Sequence, residues 1–326
     1  MRRIVRVAVI DLTRAAEQKG FKSVAVIDLT RDLDVQVISD TKDVQGMEVL
    51  TKTATAFFAN NGQTLIVAGK SIADKSEIGP FLYQIYESNP FYGVSVVVPK
   101  ANQAEYLAEV DKYANGNKSL AVVEINGSAD EVKSALLNSN SDRLVAYANK
   151  SDIQSGISGA VDGACFPQDE GSINWGNTVV TYVTDSGYTE AEETDLLQNE
   201  INYITKERGL VMTQFGRTTS GSNADITRTK DFLTDRIEAA LTMALANNKK
   251  IAYTTPGMAI IKASLDEIGV QGVNQGMLDS FIVTTPKVSE VPANDKANRV
   301  LRGVKFTANL SGAVDTIDLD LIVKLA

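Results

Sequence analysis

The chain of 326 residues contains no histidine and a single cysteine, Cys165. The first absence excludes Ser-His-Asp and Cys-His nucleophile systems and every zinc site with a histidine ligand. The second excludes an intrachain disulfide and makes a small buried hydrophobe in a reducing compartment the simplest reading of Cys165. No apolar run approaches the ~20 residues that span a bilayer. The arginines Arg2, Arg3 and Arg6 are not followed by an apolar stretch of signal-peptide length before Asp11 and Thr13. The expectation is a soluble product made in the cytoplasm, with no direct membrane insertion. Thirty-two basic against 41 acidic residues give a net charge of −9, which lacks the basic stripe of a nucleic-acid coat. What is present is an ordinary globular chain, 44% apolar with a mean hydropathy of −0.08, long enough for about two domains.

Between residues 33 and 150 two periods alternate. Leu33–Ile38, Gln63–Ala68, Gly93–Val98, Ser119–Glu124 and Arg143–Tyr147 are short runs of strand character, rich in Val and Ile. Val44–Phe58, Gly79–Ser88, Gln103–Ala114 and Ala129–Leu137 between them carry helical patterns, the last opened by a capping box of Ser128 and Glu131. This alternation predicts βαβ units and a parallel sheet covered on both faces. From Gly159 the texture becomes irregular and Gly-rich, with the only tryptophan, Trp175. A strand is expected at Thr178–Thr184, and a second capping box, Thr189 and Glu192, opens a helix through Lys206 with Leu197, Ile201 and Ile204 on one face. A strand at Leu210–Gln214 leads to a polar, flexible loop, Arg217–Asn223. The longest helix, Asp225–Asn247, then shows Ile226, Leu233, Ile237, Leu241 and Leu245 as one stripe. A helix at Met258–Ile268 and strands at Ser280–Thr285 and Arg299–Leu310 complete the half. The fold class is α/β, α+β overall.

Both ends read as strands. VAVIDLTR at Val7–Arg14 recurs unchanged at Val24–Arg31, a local duplication that makes two similar strands and no solenoid. Thr316–Leu325 alternates strictly, with Ile317, Leu319, Leu321, Val323 and Leu325 on one face and Asp318, Asp320 and Lys324 on the other. A basic start and an acidic close can pair within one subunit or between subunits by strand addition.

Candidate chemistry is sparse. LIVAGKS at Leu65–Ser71 imitates a phosphate loop, but the motif requires a glycine where Thr64 stands. No G-x-G-x-x-G follows a strand, and Asp315, Asp318 and Asp320 lack the glycine turn and spacing of a calcium loop. Trp175 reads as a packing anchor, and Asp231, Asp235 and Glu238 as a solvated or partner-facing stripe. No acid, base and oxyanion donor assemble, so no catalytic residue, cofactor or metal ligand is assigned. An α/β enzyme or small-ligand binder would need a pocket at the carboxyl ends of the strands.

From Gly171 onward the segments GSINWGNTVV, INYITKERG, GRTTSGSNADITRTKDFLTDRIEAAL and NRVLRGVKFTANLSGAVDTIDLDLIVKL follow one another. Their order resembles that of the contractile tail sheath proteins of bacterial viruses and related injection machines. FFANNGQTLIVAG at Phe57–Gly69 is similar to that family's early helix-to-strand step. The resemblance implies a non-enzymatic subunit of a virion contractile tail or injection-system particle, assembled in the bacterial host cytoplasm. Such subunits stack as hexameric rings around a rigid tube in a helical homo-oligomer, meet baseplate and terminator proteins, and contract to drive the tube through a target envelope. Another self-assembling tail component, such as a terminator, would share the motif-poor character. The resemblance further implies an N-terminal arm over 1–20, an α/β outer domain of βαβ type over 21–200, an inner, tube-facing α+β domain over 201–312 and a C-terminal arm over 313–326. Intersubunit strands are then expected at Arg2, Arg3, Ile4, Val5, Arg6 and Val7, and at Ile317, Asp318, Leu319, Asp320, Leu321 and Val323. Arg217, Arg228, Lys230, Asp231 and Asp235 are expected to face the tube.

Overall fold

The structure, a computed structural model, describes residues 20–151 and 153–315. The expected arm strands, Arg2–Val7 and Ile317–Val323, lie outside the described residues. The chain divides into two compact units, with the division falling between Phe232 and Leu233, inside a helix.

In chain order the larger unit contains β1 (Val24–Asp28), β2 (Leu33–Ile38), α1 (Glu48–Ala59), β3 (Leu65–Gly69), α2 (Ile78–Ser88), β4 (Gly93–Val97) and α3 (Gln103–Asn117). It continues with β5 (Leu120–Asn126), α4 (Ala129–Leu136), β6 (Leu144–Asn149), α5 (Ile157–Cys165), α6 (Glu190–Gln198), β7 (Asn202–Glu207) and β8 (Leu210–Thr213). The first turns of α7 (Ala224–Asn247) also belong to it. The strands form one sheet in the order β2-β3-β1-β4-β5-β6-β7-β8. Interior pairings from β3 to β7 are parallel, whereas β2 and β8 run antiparallel to their neighbours at the two edges.

Successive strand residues point to opposite faces. Ala25 and Ile27, Val94 and Val96, and Val123 and Ile125 join Leu82, Ile85, Leu107, Val110, Val132 and Leu196 in one buried cluster under α2, α3, α4 and α6. The intervening positions Val26, Ser95, Val122, Glu124 and Tyr147 are buried as well, on the face taken by α1 and α5. Burial on both faces is why these strands read as continuous apolar runs. Both capping boxes form, Ser128 with Glu131 and Thr189 with Glu192.

Several expectations change. The irregular Gly-rich segment begins with α5, in which every residue is buried. Its glycines are there for close approach: a Cβ on Gly159 would stand 2.1 Å from the Thr53 carbonyl oxygen, and one on Gly163 2.2 Å from that of Phe57. The helix opened by Thr189 ends at Gln198; after a turn through Glu200 at φ +59°, Ile201 precedes β7 and Ile204 lies within it. No strand forms at Thr178–Thr184: Val179 makes a single bridge to Met212, and Tyr182 turns at φ +66°. The loop Arg217–Asn223 is stitched down, with Thr219 N donating to Leu144 O at 2.8 Å and Ser220 N to Ser141 O at 3.2 Å. Because β7 and β8 extend the large sheet, a domain boundary at 200/201 would cut through it.

The smaller unit holds the remainder of α7 with α8 (Thr255–Asn274), β9 (Leu278–Thr284), α9 (Ala293–Ala297) and β10 (Lys305–Leu310). β9 and β10 pair antiparallel, and the rings of Phe281 and Phe306 stack with centroids 5.9 Å apart. Ile282 of this pair is 62% exposed. The apolar stripe expected along α7 is uneven, with Leu233 buried and Leu245 68% exposed.

Candidate functional site

The segment 165–177 reaches Lys22 on one side and Asp315 on the other. At the amino-terminal side, Phe21 is buried against Tyr92 with ring centroids 4.6 Å apart, and Lys22 pairs with Asp169 at 2.8 Å. At the other side, Asn174 Nδ2 donates to an Asp315 carboxylate oxygen, and Asn177 Nδ2 donates to the Asp315 carbonyl at 2.9 Å. Trp175 between these asparagines is 1% exposed and meets Phe166 edge-on at 5.2 Å. The tryptophan is thus the packing anchor that the sequence suggests, and it packs within the segment that clamps Lys22 and Asp315.

Arg228 supports this clamp from within. It is 1% exposed, and its guanidinium donates to the carbonyls of Cys165 (3.0 Å), Phe166 (2.8 Å), Gln168 (2.9 Å) and Phe21 (3.3 Å), with Glu170 at 3.5 Å. Burial pulls its pKa down, with Glu170 opposing. A carbonyl cage for a buried cation satisfies donors that desolvation would otherwise leave costly. Asp231 is also turned inward: both its oxygens receive Arg143, at 2.6 and 2.7 Å, and Tyr92 Oη donates to it at 2.8 Å. Burial opposes the Arg143 charge, but the hydrogen bond and attraction of Asp231 outweigh it and raise its pKa. The expectation of an outward-facing row therefore fails at Arg228 and Asp231, because both charges are consumed by partners in the core of the larger unit.

The other residues of that row lie at the surface. Arg217 is half-buried, pairs with Glu200 at 3.0 Å and sits over the Phe215 ring. Lys230 is exposed, and Asp235 pairs with Arg236 at 2.7 Å. Asp142 accepts from Ser220 and Ser222, which lower its pKa.

Two further buried carboxyls were invisible to spacing arguments. Glu124, 1% exposed, faces the start of α5 and accepts the backbone N–H groups of Ser155 (2.7 Å), Gly156 (3.0 Å) and Ile157 (2.8 Å) and the Asn149 amide (2.8 Å). A carboxylate there satisfies the orphan donors of a helix start and complements its dipole. Asp162, fully buried, sits 2.6 Å from Ser95 Oγ, and burial pushes its pKa up to about 8.

The imitation phosphate loop is ordinary structure. Lys70 pairs with Glu77 at 2.6 Å, and a Cβ on Gly69 would stand 2.6 Å from the Arg31 carbonyl oxygen. The carboxyl end of β1, where the strand order switches, is filled by Asp28 with Thr30 and Arg31. Among the described residues no group of three or more Cys, Asp or Glu side chains is placed to hold a metal ion, and no helix is long and apolar enough to cross a membrane. A cleft of about 560 Å³ lies beside Lys133, Leu136 and Ile201, and another of about 950 Å³ in the smaller unit beside Leu241, Tyr253 and Met258. Neither is at the carboxyl ends of the central strands.

No protein-family model matches the sequence, and no curated protein matches it. Solved structures do share its fold. A chain of the anti-feeding prophage baseplate, determined by cryo-electron microscopy with 6-fold symmetry, is 14% identical with a TM-score of 0.73, each chain covered over 100% of its length. A chain of the sheath complex of the extracellular contractile injection system PVC, in its contracted state, is 14% identical with a TM-score of 0.70, over 99% of this chain and 97% of that one. The sheath tail protein of Desulfitobacterium hafniense is 8% identical with a TM-score of 0.60, over 86% of this chain and 93% of its own.

Proposed function

We propose that the chain is the structural subunit of a contractile tail sheath, in a phage tail or an injection-system particle. The observation that carries this reading is the sharing of a fold, end to end, with a chain of the contracted PVC sheath complex and a chain of the anti-feeding prophage baseplate. In this reading the subunit stacks as hexameric rings around a tail tube, meets baseplate and terminator proteins at the two ends, and does no catalysis.

The arms Arg2–Val7 and Ile317–Val323 would supply intersubunit strands. The pair β9–β10 offers receiving edges, since among the described residues each of these strands has only the other as a neighbour. Main-chain hydrogen bonds would give the grip, and side-chain alternation the register. Links of this kind let subunits turn as rigid bodies while remaining joined. Arg217, Lys230 and Asp235 remain the candidates for tube contact, and exposed ion pairs of ~0–1 kcal/mol each suit a contact that must release. Six subunits of −9 each bring a ring to −54, so complementary arms must outweigh that repulsion.

Electron microscopy of the purified protein tests the reading. Hollow tubes with a wide lumen are expected, lost on deletion of Met1–Leu12 or of Asp315–Ala326. Capped rings would make it a terminator instead, and a dispersed monomer under all assembly conditions would overturn the sheath assignment.

A further inference from the structure

The eight residues Val7–Arg14 repeat Val24–Arg31 without a change. The second copy is β1 with the turn that follows it, and each of its side chains has a visible task. Val24, Ala25, Val26, Ile27 and Leu29 are at most 1% exposed, the strand lying between β3 and β4. Asp28 Oδ1 accepts from Thr30 N at 2.9 Å and Thr30 Oγ1 at 2.6 Å, and Arg31 Nε lies 3.0 Å from Oδ2. The main chain adds Leu29 N to Val97 O (3.0 Å), Lys70 N to Asp28 O (2.9 Å) and Ile72 N to Leu29 O (3.2 Å). Val7–Arg14 carries every one of these groups at the same spacing. We propose that the slot between β3 and β4 is degenerate: Val7–Arg14 occupies it in the same chain as a minor register, displacing Val24–Arg31.

A one-residue slip of a strand turns its buried side chains outward, which ordinarily forbids alternative registers. An exact repeat escapes that rule, because every position regains its own side chain. The flanks then decide which copy prevails. Phe21, packed on Tyr92 and Phe232 with centroids 4.6 and 5.7 Å away, corresponds to Ile4. Lys22, paired with Asp169, corresponds to Val5, and Asp32, which accepts from Ser71 N at 3.0 Å, corresponds to Ala15. The Ser23 carbonyl, which accepts from Tyr92 N and Gly93 N, is main chain and is matched at Arg6. The second copy therefore holds the slot in the majority, by its flanks alone. Exchange moves 17 residues from the amino-terminal side of the slot into the connection to β2, which now spans only Leu29–Asp32. Lengthening a surface connection costs little, since closure entropy grows with the logarithm of length. The proposal stands apart from the sheath reading; if that reading holds, the exchange also sets the reach of the amino-terminal arm.

Three variants of the full chain test it: Ile10→Asp, Ile27→Asp and both together. Folding is read by cooperative urea unfolding, and slot occupancy by hydrogen exchange with mass spectrometry. Ile10→Asp should unfold as the parent does. Ile27→Asp should keep a cooperative transition as a single chain, with protection moved from 24–28 to 7–11, and the double variant should lose the transition. An Ile27→Asp chain no more folded than the double variant overturns the proposal, as does a folded one still protected at 24–28 or one that folds only as an exchanged dimer. A gentler variant, Ile4→Phe with Val5→Lys and Ala15→Asp, gives the first copy the flanking side chains of the second. It should raise protection at 7–11 at the expense of 24–28, and unchanged protection there refutes the exchange.

Discussion

Replacing Asp162 by Asn should remove a fall in stability that the parent protein shows as pH rises. Asp162 lies in α5 with no exposure, and Ser95 Oγ is 2.6 Å from its Oδ2 and 2.8 Å from the Val122 carbonyl oxygen. A serine hydroxyl has one hydrogen, and the carbonyl can only accept. A proton on the carboxyl lets both contacts be made at once, with Asp162 donating to Ser95 and Ser95 to Val122. Burial independently favours the neutral acid, pushing its pKa up to about 8. In the unfolded chain an aspartate titrates near ~3.9. Between these values the folded protein binds a proton that the unfolded chain does not, so stability is full below the unfolded pKa and declines as pH rises through the window. The slope approaches about 1.4 kcal/mol per pH unit, or roughly 4 kcal/mol between pH 5 and pH 8. The amide of the Asp162→Asn variant would donate to Ser95 without taking up a proton, and any penalty for its second amide hydrogen displaces the curve without tilting it. The assay is urea unfolding of unassembled protein at pH 5, 6.5 and 8, read by the fluorescence of the single, buried Trp175. The stability of Asp162→Asn relative to the parent should rise with pH, by roughly 4 kcal/mol between pH 5 and pH 8. A difference that stays constant from pH 5 to pH 8 would refute the assignment of a neutral Asp162.

Gly163→Ala should destabilise by at least ~3 kcal/mol in the same assay, because its Cβ would stand 2.2 Å from a backbone oxygen of α1 that cannot move alone. Gly79→Ala, with nothing within 4 Å of the new Cβ, should be neutral or stabilising by up to ~1 kcal/mol. Arg228→Met should cost about 3–5 kcal/mol by stranding four carbonyls and Glu170, read as a lowered urea midpoint with an unchanged m-value. A double-mutant cycle of Arg143→Met with Asp231→Asn should return a coupling of about 1–3 kcal/mol, little changed by 0.5 M salt because both side chains are at most 15% exposed.

The strands and helices between 33 and 150 were legible because burial on both sheet faces writes a continuous apolar run, and each covering helix writes its own period. Ser128 and Thr189 announced helix starts by a purely local pairing with residues three positions on. Where a residue's role depends on a distant partner, that legibility ends. Gly159 and Gly163 look like turn residues, and only the carbonyls of Thr53 and Phe57 make them helix-packing residues. The same blindness put Asp231 on a solvated or partner-facing stripe and Arg228 in an outward-facing row, since Cys165, Phe166 and Arg143 lie 62 to 88 positions away. Ile204 fits either period, and the turn at Glu200 decided for the strand.

The absence of histidine and near-absence of cysteine first limits the chemistry this chain can perform. The structure adds that its most perturbed polar groups are turned inward to hold elements together. Glu124 fixes α5 to the sheet, Asp162 ties the same helix to β4, and Arg228 joins α7 to the segment that holds Lys22 and Asp315. Asp162 Oδ1 and Arg228 Nε keep no hydrogen-bond partner among the described residues, but the bonds these groups do make each tie together two packed elements. The attachments at the surface differ in kind: Lys22 with Asp169 is half-exposed on both sides, and Asp315 is held by two asparagine amides. Exposed pairs are individually weak. Within the larger unit, then, buried contacts set how the elements pack, whereas the Lys22 and Asp315 attachments add little to that packing.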